Sequence, residues 1–167
     1  MSTQRPPVSD AGGIDDDESS LPAVDARTAV LGLQSGLLAT VVMTLFRLPI
    51  SRSPPPTATF WAKYVAGGRP ADHTWIGLVL HVAYGMSAGV VFAALSPARS
   101  GRSAVATEAS GVVRGVVFGL VLSGFGARIL LAELLDVTLE PDERFIFHLS
   151  HVVYGLTLGA WYGSSVE

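Results

Sequence analysis

The chain has 167 residues, of which 49% are apolar and only 15% charged, well below the roughly 25% charged residues of soluble domains. Its net charge of −3 and the lack of any basic run give no case for nucleic-acid binding. With no cysteine in the chain, disulfides, iron–sulfur clusters and thiolate metal sites are excluded.

Residues 1–27 carry Pro6, Pro7 and a crowd of acidic groups, among them Asp10, Asp15, Asp16, Asp17, Glu18 and Asp25. Too few large apolar side chains are present to offset the entropy of ordering, so the segment reads as a disordered acidic tail. The apolar block that follows is too long, and its leading flank too acidic, for a secretory signal. A helix needs about 20 mostly apolar residues to cross the bilayer. Four stretches meet this requirement, at about 28–48, 75–95, 111–135 and 145–163, so residues 28–165 read as an all-α, four-helix transmembrane domain. The first span stops at Pro49; the second opens on Trp75 and closes before Pro97.

The first connection is long. Pro54, Pro55 and Pro56 precede a short stretch ending at Gly67-Gly68, which is the punctuation of a helix start and stop. Phe60, Trp61 and Tyr64 fall on one side of it, as in a helix lying in the headgroup region. The connection 96–110 reads as a flexible loop, and 136–144 as a short acidic one. Basic residues divide too evenly between the two sides to orient the chain. Four spans put both termini on the same side of a cell membrane.

The pattern His-Val-x-Tyr-Gly occurs twice, as His81-Val82-Ala83-Tyr84-Gly85 and His151-Val152-Val153-Tyr154-Gly155, each followed by a further glycine, Gly89 or Gly159. The two copies differ by 70 residues. In the first and third spans, Gly32 and Gly36 match Gly111 and Gly115 at an offset of 79, and Thr40 matches Gly119. The pattern implies an internal duplication of a two-helix unit, two tandem hairpins in the same orientation related by an axis along the membrane normal. Small residues four apart share one helix face. In lipid, where apolar burial contributes little between helices, such faces let backbones pack closely. Gly32, Gly36, Gly85, Gly89, Gly115, Gly119, Gly155 and Gly159 are therefore helix-packing residues, meeting in one core or serving a homo-oligomer.

His81, Tyr84, His151 and Tyr154 form the candidate intramembrane polar site, since ionisable groups within spans are rare and commonly functional. A neutral imidazole also bonds across a helix seam as a structural strut. Imidazole is a proton relay, and paired histidines, with His148 one turn away, are the ligand type for haem iron. Arg47 and Arg128 at the span ends read as interfacial anchors able to pair with Glu133, Asp136 or Asp72, with binding of a substrate anion as the alternative. Gln34 and Ser35 read as interhelical hydrogen-bonding groups. Ser150 lacks the acidic partner of a nucleophile, and P-loop, dinucleotide and HExxH patterns are missing.

Residues 30–163, through Ala39-Thr40-Val41-Val42-Met43-Thr44, Phe60-Trp61-Ala62-Lys63-Tyr64 and the two His-Val-x-Tyr-Gly copies, resemble small four-span membrane proteins of haloarchaea. No activity is assigned to that group, so the resemblance implies membrane location and source and no catalytic residue. Three functional classes fit. One is a structural or accessory membrane protein without enzymatic activity or cofactor, whose partners are the lipid bilayer and a second copy or another membrane protein. The second is an oligomeric transporter or channel subunit handling protons or a small solute. The third is a haem or metal binder through His81 and His151.

Overall fold

The computed structural model describes residues 25–51, 53–96 and 103–165. Most of the expected acidic tail, residues 1–24, lies outside them. Its last three residues are ordered, because Asp25 caps the first helix, α1 (Ala26–Arg47), by accepting a hydrogen bond from the Thr28 amide at 2.6 Å. The same bond holds the Asp25 carboxyl below its ordinary value.

The proline-led segment forms a short helix, α2 (Pro56–Trp61), that widens into a π-helical turn over Ala62–Ala66. Gly67 and Gly68, at φ of 71° and 79°, end it in the left-handed region that glycine adopts at least cost. A 3₁₀ turn at Pro70–His73, closed by the Arg69–Asp72 ion pair at 3.0 Å, leads into α3 (Thr74–Leu95).

The next two helices begin earlier than expected. Ser103 caps α4 (Ala104–Phe125), accepting from the Ala106 amide at 3.4 Å, so residues 104–110 belong to the helix and not to a loop. This helix continues as a π-helix over Gly126–Leu134 and stops at Asp136, at φ 55°. The last helix, α5 (Pro141–Ser165), starts at Pro141 rather than Phe145. Proline suits the first helical position, and Asp142 and Glu143 complement the positive end of the helix dipole there.

α1 and α3 pack antiparallel, with Gly32 against Gly89 and Val90, and Gly36 against Gly85 and Met86. α4 and α5 repeat the arrangement, with Gly111 against Gly159 and Gly163, Gly115 against Gly155 and Gly159, and Gly119 against the His151 carbonyl. The glycines thus make two separate seams within one molecule rather than one common core. Each seam is a backbone-on-backbone contact that a side chain would hold apart.

The two pairs join through a core of Ala39, Met43, Ala88, Phe92, Ala93, Tyr154, Leu158 and Tyr162. Tyr154 Oη donates to the Gly85 carbonyl at 2.8 Å and Tyr162 Oη to the Ala93 carbonyl at 3.3 Å. Both ties climb both helices together, so α3 and α5 run parallel, as the matched motifs require. Exact two-fold symmetry is not kept. α1 packs along α5, whereas the equivalent neighbours α3 and α4 are bridged chiefly by the Phe92 and Phe118 rings, 5.4 Å apart.

Three segments, Ala26–Arg47, Pro70–Leu95 and Val105–Leu134, are long and apolar enough to cross a membrane. Large apolar residues face outward along α1, α3 and α4, including Leu45, Val79, Val91, Val113 and Val121. α5 falls short of that apolar standard because Ser150, His151, Tyr154 and Tyr162, buried against its neighbours, lower its average.

The first connection is fastened at two places. Thr57 Oγ1 donates to the Gly77 carbonyl at 2.6 Å while Ala58 sits on Gly77, so that glycine serves to dock α2. Lys63 bonds the Leu134 carbonyl and Asp136, and Tyr64 Oη donates to the same carbonyl at 2.6 Å. Hydrogen bonding to Asp136 raises the Lys63 ammonium above its ordinary value. Arg128 lies 3.8 Å from Glu133, while Asp136 and Asp72 are engaged by Lys63 and Arg69 instead of by Arg47.

Candidate functional site

All four predicted polar residues line one small cavity between the hairpins. His81, Tyr84, His151 and Tyr154 surround it with Thr40 and Leu122. The cavity measures about 10 Å³, the room of about one water molecule. His151 and Tyr154 are buried, whereas His81 is half-buried and Tyr84 is 36% exposed at the outer edge. The two motif copies therefore occupy unlike environments.

The difference starts at one residue. Gly119 lets the backbone of α5 come against α4 beside His151, whereas the matching position in α1 is Thr40, whose side chain stands over Gly85. Thr40 Oγ1 bonds back to the Gly36 carbonyl at 2.7 Å and Thr44 Oγ1 to the Thr40 carbonyl at 2.7 Å. With the Thr40 side chain where the other pair has Gly119, α1 and α3 leave space toward their Arg47 end.

His151 Nδ1 lies 2.8 Å from the Phe147 carbonyl, which only accepts, so Nδ1 carries the hydrogen. In the neutral ring Nε2 is then an acceptor. The Phe147 ring lies against the imidazole, tilted by 46° at 4.5 Å between centroids. A similar inference fixes His148, which the sequence offered only as a possible further ligand beside His81 and His151. Ser123 Oγ donates to the Leu120 carbonyl, so His148 Nδ1, 3.0 Å away, donates to Ser123. Ser123 continues the small-residue spacing of Gly111, Gly115 and Gly119, and that spacing was the available signal.

His81 also borders a second cavity of about 60 Å³ at the Arg47 end, lined further by Met43, Thr44, Ser51, Ser53 and Leu78. Among the described residues, Arg47 Nε is the buried side-chain nitrogen or oxygen without a hydrogen-bond partner. Across from it Glu143 accepts from Ser53 Oγ at 2.8 Å. Toward the opposite end of the bundle, Phe92 and Leu158, 2% and 0% exposed, close the interior together with Tyr162. Polar access to His81 is thus one-sided. Two residues read as interhelical hydrogen-bonders behave otherwise: Gln34 faces outward, and Ser35 bonds back to its own helix at Leu31 and Gly32. Ser150 does the same at Ile146 and Phe147.

The Tyr154–Gly85 bond is the shorter of the two tyrosine ties between the hairpins. Tyr154→Phe removes it while keeping the ring, and should cost about 0.6 kcal/mol, at most about 1.7. A modest fall in the aggregation temperature of the detergent-solubilised protein is the expected result. No change, or a collapse like that of a seam glycine, would contradict the bond's assigned role.

A porphyrin does not fit between His81 and His151 unless α3 and α5 separate, and among the described residues no group of three or more His, Asp or Glu is arranged to hold a metal. No family model, curated protein or solved structure matches this chain.

Proposed function

We propose that the chain is a four-span protein of the cell membrane, built by duplication of one helical hairpin, with a structural or accessory role and no enzymatic activity. The observation that carries this reading is how the interior polar groups are used. Tyr154 and Tyr162 join the hairpins, and His148 and His151 bond within the α4–α5 pair or within their own helix. Such groups act as struts between glycine seams, and the outward apolar surface meets lipid or a membrane-protein partner, a second copy included.

The fourth span is supported by the placement of its polar residues. They point into the bundle, while Phe145, Leu149, Leu156 and Trp161 point out, so α5 presents an apolar surface despite its composition. Trp75 and Phe145 at one end and Trp161 at the other suit the two interfaces, and α2 with Phe60 and Tyr64 lies in the headgroup layer. A second reading, a subunit that handles protons or a small solute, is favoured by the one-sided approach to His81.

The absence of cysteine makes the topology directly testable. Single variants Ser53→Cys, Ser103→Cys, Thr138→Cys and Ser165→Cys should react with a membrane-impermeant maleimide in two groups. Ser53 and Thr138 label from one side, Ser103 and Ser165 from the other. Labelling of Ser165 on the Thr138 side would mean that α5 does not cross.

A further inference from the structure

The cavity beside Arg47 does not end in protein alone. Two of its lining residues, Thr44 and Leu78, also line an apolar groove of about 340 Å³ on the outer surface between α1 and α3. The groove is completed by Val41, Leu45, Trp75, Val79 and Val82. A cationic recess and a long apolar trough therefore meet at the same two side chains.

We propose that this composite is a binding site for one anionic phospholipid, its phosphodiester at Arg47 and an acyl chain in the α1–α3 groove. Three observations on unlike groups support it. Arg47 Nε is buried and without an acceptor among the described residues, and a guanidinium presents donors in a fork that matches phosphate oxygens. The groove wall is almost wholly apolar, Thr44 apart, which is the lining an acyl chain selects. Trp75, 79% exposed at the start of α3, marks the headgroup depth at which Arg47 ends α1. Basic pockets between membrane helices are known headgroup sites.

Charge decides between a lipid and a free anion. Glu143 reaches the same recess, its carboxylate accepting from Ser53, which lines the cavity with Arg47. It opposes a multiply charged ligand more than a singly charged one, which favours a phosphodiester over inorganic phosphate. The position of Arg47 has Gly126 as its counterpart at an offset of 79, so the site belongs to the first hairpin only.

The test uses the full chain in detergent, with thermal unfolding followed during titration by phosphatidylglycerol, phosphatidylcholine or inorganic phosphate. Phosphatidylglycerol should raise the transition temperature and the other two should not. Arg47→Gln should weaken phosphatidylglycerol binding roughly fivefold, equivalent to about 1 kcal/mol for one basic group facing an anionic headgroup. Arg47→Lys should retain most of it. Val79→Trp, which fills the groove without touching Arg47, should abolish the effect. Equal stabilisation by phosphatidylcholine overturns the headgroup assignment, and equal stabilisation by phosphate overturns the acyl groove. Should Arg47→Gln not fold, native mass spectrometry of wild-type protein from a mixed-lipid membrane decides. Retained lipid enriched in phosphatidylglycerol supports the site, and retention at bulk composition refutes it.

Discussion

Gly155→Leu should dismantle the α4–α5 pair, whereas Val152→Leu should leave it standing. A Cβ on Gly155 would overlap the Gly115 carbonyl oxygen and lie 2.7 Å from its carbon and 3.0 Å from Val116 Cα. These are backbone atoms, so relief requires moving a whole helix. Overpacking in a tight core commonly costs about 1–3 kcal/mol, and a backbone obstacle places Gly155→Leu at or above the top of that range. Gly85 offers a graded comparison. Its Cβ would meet the Thr40 side chain, which can rotate away by giving up its bond to the Gly36 carbonyl. Gly85→Ala should therefore be milder than Gly155→Ala. Val152 is half-buried and off the seam, so an added methylene finds room. Size-exclusion profiles after stepwise heating in detergent separate these variants. Valine variants that collapse before the glycine variants would show that the seam faces are wrongly assigned.

The seams were legible because glycine has one dominant use in lipid-buried helices. The offsets of 79 and 70 matched Gly32 with Gly111 and Gly89 with Gly159 as small-residue packing positions, and the structure sets Gly32 against Gly89 and Gly111 against Gly159. Helix starts were less legible. Ser103 and Pro141 are ordinary start signals, yet the polar turns that follow them concealed the extra helical residues from a reading based on apolar runs. The gathering of His81, Tyr84, His151 and Tyr154 at one cavity followed from the motif repeat. Their inequality did not, because it depends on Thr40 standing where Gly119 stands in the other pair, a packing consequence with no local signature. Likewise the recess at Arg47 draws on α1, the first connection and α3, with Glu143 of α5 nearby. Sequence spacing carries no information about such a meeting.

Phe92→Ala should be the most damaging truncation in the interior outside the seams. Phe92 is 2% exposed and touches both Phe118, 5.4 Å between ring centroids, and Tyr162, 5.6 Å and edge-on at 79°. It spans the gap between α3 and α4, where no glycine seam draws the backbones together. Truncating a buried phenylalanine in a soluble core costs about 3–5 kcal/mol. Part of that figure is transfer from water, which a bilayer does not supply, because lipid tails are as apolar as the core. What remains is lost dispersion contact and aromatic geometry, each edge or offset pair contributing about 0.5–1.5 kcal/mol. The expectation is therefore about 3 kcal/mol, the low end of the range. Phe92→Leu should recover much of it by refilling the volume, without restoring the ring contacts. Val113→Ala on the lipid-facing side of α4, 64% exposed, should change stability by less than about 0.5 kcal/mol. Unfolding in mixed micelles of increasing SDS content measures all three. If Val113→Ala costs as much as Phe92→Ala, the α3–α4 contact is not carried by the Phe92 ring, and the hairpins are held together by the α1–α5 face and the tyrosine ties alone.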